Sequence, residues 1–376
     1  MVTVMENYEL SSEILAKGHK YYIQTALVAS SNQIVTSLFH EGKLLSKQVE
    51  SYDPSKLSDE VQILVRQNHD ERIIRIRSLL EVSQKLARME DPRAHLRLGE
   101  ALFNQCLIKE AMAEVVRAIK LNVNDSKAFS ILGSCLLTLE DYDRAIRAFR
   151  HGIEISPNYP DLHNDLGRAY LSLKQCSQAV KSFEKAIELN NYYVEAIFNM
   201  AEALCQNVID KEDFELSREL PQKLVQSLER VIQMKPALDT PEFRDAIISA
   251  NDEDYDAVFK TLVRIREESA KIHISNLSLD LYLILKFDSD SLTEEDIDRY
   301  IAKTMGALET NPNYPDLRND LGILYTAKCK LFIDKANSAF REALKMNRDF
   351  KKAEKNLKLS ENDRQGIHLL LKALLD

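Results

Sequence analysis

The side chains capable of covalent chemistry in this 376-residue chain fall into no arrangement that catalysis uses. Its eight histidines are scattered, and no HExxH places two of them on one helical face to hold zinc. Neither GxGxxG nor GxxxxGK followed by Ser or Thr occurs, so no glycine-rich loop offers its N–H groups to a phosphate. The 59 acidic residues are spread as on any solvated helix, and no acid–base pair stands apart. The five cysteines, Cys106, Cys135, Cys176, Cys205 and Cys329, are odd in number and form no CxxC pair, which reads as free thiols in a reducing compartment. What is left is the chemistry of recognition. Arginine, lysine and asparagine donate hydrogen bonds to carboxylates and to the carbonyl groups of an extended chain. The expectation is a non-enzymatic protein, with no catalytic residue, cofactor or metal.

Side chains of that kind need a scaffold to line them up, and the sequence supplies one by repetition. Gly99, Gly133 and Gly167 lie 34 residues apart, each preceded by a leucine (Leu98, Leu132, Leu166). Twelve residues after each glycine comes Ala111, Ala145 or Ala179, then Val115, Phe149 or Phe183, then Ala118, Gly152 or Ala186. Each unit therefore contains two amphipathic helices, and its small residues let the two backbones approach closely. A unit this short cannot bury its own apolar face, so it must stack on copies of itself. Pro160 and Asp161 suit the first turn of a helix, where a missing N–H costs nothing and a negative charge meets the helix dipole.

On these residues the chain closely resembles the tetratricopeptide repeat (TPR) family. The resemblance implies a mainly α fold, a TPR α-solenoid, in which antiparallel helix pairs wind into a right-handed superhelix. A fourth unit keeps phase with Met200, Ala201 and Leu204. The segment PNYPDLHNDLG at 157–167 then returns at 312–322 as PNYPDLRNDLG, with Gly322 four periods plus 19 residues beyond Gly167. The extra residues are assigned to exposed insertions near 205–223 and 287–296. This phasing gives seven repeats, beginning near 92, 126, 160, 194, 239, 274 and 315, with Gly322 and Ala336 as the packing residues of the seventh. The array spans 92–348, and 349–376 reads as C-terminal capping helices.

In such arrays the first helix of each repeat lines a concave groove. Helical phase places there Arg93, Arg97, Glu100 and Phe103 from the first repeat, Lys127 from the second, Asn164 and Arg168 from the third, and Phe198, Asn199 and Glu202 from the fourth. The resemblance implies that a peptide or helix of a partner protein binds this groove, with Phe103 and Phe198 as apolar anchors. Co-chaperones of the family that grip an acidic C-terminal tail carry lysine, arginine and asparagine at the positions of Leu96, Glu100, Ile131, Asp161 and Asp165. None of the five agrees, so that binding mode is not expected.

Before the repeats, residues 19–52 are rich in Tyr, Ile, Val and Thr and carry no helical period. They predict a three-stranded antiparallel meander within a small module at 1–56, turning at Glu41-Gly42. A helix over 57–91 covers or connects it, since three strands alone are marginal. The module either caps the array or serves as a separate docking element. The formal net charge of −9 disfavours nucleic acid and anionic lipid as partners, although lysines from Lys328 to Lys358 make the C-terminal end basic. No run is long enough to insert in a membrane, and the first twenty residues lack the apolar core of a secretory leader. The reading is a cytoplasmic bacterial scaffold or adaptor, with self-association through the N-terminal module or the array ends left open. The alternatives are a sensor whose N-terminal module controls binding, or an assembly factor for a secretion, pilus or motility machine.

Overall fold

The computed structural model describes residues 8–16, 18–214, 216, 220–270, 277–287, 292–310 and 315–375. The chain divides into two units, one of 1–76 with 89–275 and one of 77–88 with 276–376.

The first unit opens with four antiparallel strands, β1 (Glu9–Ala16), β2 (His19–Val28), β3 (Gln33–His40) and β4 (Lys43–Ser51), paired in that order. Alternation puts Ile14, Tyr21, Ile23, Leu27, Ile34 and Leu38 on a buried face. Helix α1 (Ser58–Leu86) lays Val61 and Val65 against Leu27 and Ile34. The sequence predicts three strands, and β1 is the one that prediction lacks. Its core-facing row is interrupted by Ser12, whose hydroxyl meets His69 of α1 at 2.9 Å while the other ring nitrogen of His69 meets Thr25 at 3.0 Å. A polar residue with a buried partner thus hides the alternation. The turn at Glu41-Gly42 is present, with φ of 51° and 77°.

Five helix pairs follow in this unit. They are α2 (Pro92–Asn104) with α3 (Ile108–Leu121), α4 (Ser126–Thr138) with α5 (Tyr142–Ile155), and α6 (Pro160–Ser172) with α7 (Cys176–Leu189). Then come α8 (Val194–Asp210) with α9 (Leu220–Met234), and α10 (Pro241–Asn251) with α11 (Tyr255–Ala270). The glycines mark the tightest contacts. A Cβ on Gly133 would lie 2.4 Å from the Phe149 ring, one on Gly167 2.5 Å from Phe183, and one on Gly99 2.5 Å from Val115. The turn inside each of the first three pairs places Cys106, Glu140 or Lys174 in the left-handed region, seven residues after the glycine. The next N–H then closes the helix end: Leu107 donates to the Leu102 carbonyl, Asp141 to Leu136 and Gln175 to Tyr170. Asp91 and Asp125 cap α2 and α4 by accepting from two backbone N–H groups each.

The expected insertion at 205–223 is not a free loop over its first part. Residues 205–210 extend α8, with Cys205 fully buried. Beyond it Glu212 accepts from the Cys176 N–H and Asp213 from the Ser177 hydroxyl, so the extension caps α7. Residues 215 and 217–219 lie outside the described residues, as do 288–291 of the second expected insertion. Leu292 in that insertion is buried, and Thr293 and Asp296 cap each other's backbone at the next helix start.

The second unit contains α12 (Leu277–Phe287), α13 (Glu294–Thr310), α14 (Pro315–Met346) and α15 (Lys351–Leu375), packed around Leu281, Ile284, Ile297, Leu324, Ala327 and Leu371. Here the structure departs from the expected seventh repeat. Instead of a helix, turn and helix, α14 is one helix of 32 residues. The glycine-to-alanine spacing explains how this is tolerated: Gly322 to Ala336 is 14 residues, two more than in the earlier repeats, which returns both to one face of an unbroken helix. Likewise 351–375 is a single helix antiparallel to α14, joined to it by Arg341–Glu361 and Arg364–Asp334 ion pairs, where a pair of capping helices was expected.

Candidate functional site

Stacking sets the first helices side by side: α2 lies against α4, α4 against α6 and α6 against α8. The ten residues read as groove-lining divide sharply by burial. Arg93, Lys127 and Arg168 are exposed, while Arg97, Glu100 and Phe103 are half-buried. Lys127 of α4 reaches Glu100 of α2 at 2.7 Å, and Arg168 reaches Asp165 on its own helix at 3.4 Å.

The other four are used inside the array. Asn199 donates to Asn164 at 2.9 Å, with both residues buried, so this amide pair spans α6 and α8 and is not turned to solvent. Glu202 is buried and receives Arg266 of α11 at 2.6 Å. Phe198 packs with Phe243 of α10, ring centroids 6.4 Å apart, which rules it out as an exposed anchor. Each of the three has a different neighbour: Asn199 meets α6, Phe198 meets α10, and Glu202 meets α11, which packs directly on α8. A signal for this exists in the sequence, because AIFNMAEALC is apolar around most of its circumference, as a helix covered on both sides must be.

Asp165 and Glu195 share the helical phase of these groove positions. Burial pushes the Asp165 carboxyl up to about 6, reinforced by Glu195 and Asp161 and opposed by Arg168. Burial also raises Glu202, against the pull of Arg266 and Arg168. Tyr193 is raised first by burial and then by its hydrogen bond to Asp161, so its hydroxyl stays protonated. The surface around α6 and α8 is therefore acidic, with Arg168 and Arg266 among its cations, and the α2–α4 part is mixed.

Elsewhere in the unit, groups with catalytic character are closed or occupied. His95, fully buried, bonds to Glu114 at 2.7 Å and to the Met89 carbonyl at 3.1 Å. His19, His40 and Glu41 bring one donor each within 4.8 Å, the only cluster of metal-ligating type among the described residues. The Lys109 amine lies beside it, 3.3 Å from His40 Nε2 and 3.9 Å from Glu41 Oε1. Burial pushes the Cys135, Cys176 and Cys205 thiols up to about 12, leaving them unreactive.

The pairing of Gly133 with Phe149 and Gly167 with Phe183 is the packing that a 34-residue repeat requires, and independent models of repeat families match the same residues. A model described as TPR repeat matches 133–174, and one described as tetratricopeptide repeat matches 160–193. The chain contains tetratricopeptide repeats. Solved TPR structures with local similarity include YrrB, described as a TPR protein with an unusual peptide-binding site, at 18% identity over 54% of this chain and 96% of that one, with a TM-score of 0.37. TTC0263, a thermophilic TPR protein from Thermus thermophilus, is 20% identical over 62% of this chain and 99% of its own, with a TM-score of 0.34. The first TPR of Spaghetti (RPAP3), bound to an HSP90 peptide, is 20% identical over 34% of this chain and 92% of its own, with a TM-score of 0.29. No curated protein matches the TPR chain.

Proposed function

We propose that this TPR chain is a non-enzymatic adaptor that holds an extended segment or helix of a partner protein along its first helices. The observation that carries this reading is the contrast between two kinds of polar contact on that surface. Asn164–Asn199 and Glu202–Arg266 are wholly or partly buried and fix neighbouring helices to each other. Lys127–Glu100 and Arg168–Asp165 each have a partly exposed cation. Exposed pairs contribute roughly 0–1 kcal/mol, so a partner's own charges can replace them at little cost. The binding set is then Arg93, Glu100, Phe103, Lys127, Asp165, Arg168 and Glu195, suited to a segment carrying charges of both signs.

The N-terminal sheet is assigned the capping role. The Tyr21 hydroxyl donates to Glu110 of α3 at 2.6 Å, and Arg72 of α1 donates to the Gln105 carbonyl at 3.1 Å, so the sheet and its helix cover the open end of the first repeat. The test is comparative affinity capture with quantitative mass spectrometry. Lys127→Ala with Arg168→Ala should weaken capture of the specific partner at least tenfold, about 1.4 kcal/mol. Lys351→Ala with Lys355→Ala should leave it unchanged. Both variants must first show wild-type helicity by circular dichroism, and the reverse pattern of loss would move the site to the basic C-terminal end.

A further inference from the structure

Helix α14 carries both halves of a TPR unit without making one. Its first half repeats the third repeat's sequence through Gly322. Its second half runs Ala336, Phe340, Ala343, the spacing of Ala179, Phe183 and Ala186. In the third repeat those three residues are fully buried, with Phe183 seated on Gly167. In α14 neither half is satisfied: a Cβ on Gly322 would meet nothing within 4 Å, and Phe340 is only half-buried.

Geometry decides what can satisfy them. Gly322 and Phe340 are 18 residues apart, which is five whole turns at 3.6 residues each, so they share one face of the continuous helix about 27 Å apart. Tyr325, Cys329, Ile333 and Ala336 lie along that face between them, each exposed or half-buried. The opposite face, with Leu324 and Ala327, is the one buried in the unit's core.

We propose that this stripe is the interface for a second copy of the same chain. Two α14 helices laid antiparallel about a two-fold axis near Leu331 place Gly322 of each against Phe340 of the other. The same register sets Cys329 opposite Ile333 and Ala336 opposite Thr326. Each copy completes the other's missing repeat, with the helix pair that one chain would make by folding back exchanged between two. A two-fold interface uses one patch twice, and that requires the complementary residues to share a face, which the five-turn spacing provides. This inference rests on the repeat signature in 315–346 and is independent of the groove, so either proposal can fail alone.

The experiment uses the full-length chain. Sedimentation equilibrium should show a dimer, and Gly322→Leu and Phe340→Ala should each raise its dissociation constant at least tenfold. Gly322→Leu has room in the monomer and should leave its helicity unchanged. The second measurement is oxidation of a Gly322→Cys, Phe340→Cys chain that also carries Cys329→Ser. A disulfide-linked dimer supports the exchange. A linked monomer means that α14 folds back on itself, which overturns the second-copy assignment. A wild-type chain that stays monomeric at tens of micromolar, with no crosslink of either kind, also overturns it.

Discussion

Replacing Gly133 by alanine sets two opposing effects against each other, and the structure says which wins. Alanine is favoured over glycine inside a helix by about 0.8–1.0 kcal/mol. At Gly133, however, the new methyl would stand 2.4 Å from Phe149 Cε1 and 2.6 Å from Cδ1 and Cζ, and the ring is fully buried with no room to yield. Overpacking of that kind costs about 1–3 kcal/mol, so the net change is a loss of roughly 0–2 kcal/mol. Gly306 in α13 is the control, since a Cβ there meets nothing within 4 Å and only the propensity gain remains. The gap between Gly133→Ala and Gly306→Ala then isolates the clash at about 1–3 kcal/mol. A solenoid can unfold in parts, so local opening energies are read by hydrogen exchange in α4–α5 and in α13, alongside urea unfolding. Combining Gly133→Ala with Phe149→Leu, which withdraws the ring, should recover at least about 0.5 kcal/mol relative to the sum of the single changes. If Gly133→Ala stabilises its helix as much as Gly306→Ala does, the close-packing account of the repeat glycine is refuted.

Tyr21→Phe should free the N-terminal cap, because Glu110 Oε1 has no partner among the described residues and Oε2 would lose its only hydroxyl donor. The expected cost is about 1–3 kcal/mol, read as faster proteolysis within 9–51, and an unchanged digestion pattern would count against the cap. Asp165→Asn should stabilise the array at pH 7 and not at pH 3. The folded carboxyl, at about 6, binds its proton more tightly than the unfolded one at about 3.9, so stability falls as pH rises through that window. The difference at pH 7 is at most about 3 kcal/mol, and a pH-independent difference between the two chains would discard the assignment. A thiol reagent should label Cys135, Cys176 and Cys205 only on unfolding, while rapid labelling of all three in the folded chain would contradict their burial.

The parts of the fold legible in the sequence are those fixed by local, repeated packing. The Gly133–Phe149 and Gly167–Phe183 contacts recur at one spacing, so reading the period amounts to reading the contacts. Harder to see are features set by tertiary partners. Ser12 faces the core because His69 awaits it, and nothing within ELSSEILA announces that. Asn164, Phe198, Asn199 and Glu202 have groove-like phase, yet the two asparagines pair with each other while α10 and α11 engage Phe198 and Glu202. The seventh repeat is legible as a signature and not as a conformation, because two added residues leave one face intact whether the chain turns or continues. The turn residues Cys106, Glu140 and Lys174 carry left-handed backbones without being glycine, so composition holds no sign of them.

The identical glycine–phenylalanine lock in the second and third units makes them interchangeable parts. A duplicate of 126–159 inserted after Tyr159 would carry its own Gly133–Phe149 lock and would present to α6 the face that meets it now. Each such copy would lengthen the first-helix surface by one helix spacing, roughly 8–10 Å. The length of that surface can therefore change by gain or loss of whole blocks while the lock inside every block stays as it was. For this chain the length of the first-helix surface is a countable quantity, open to revision by recombination in a single step.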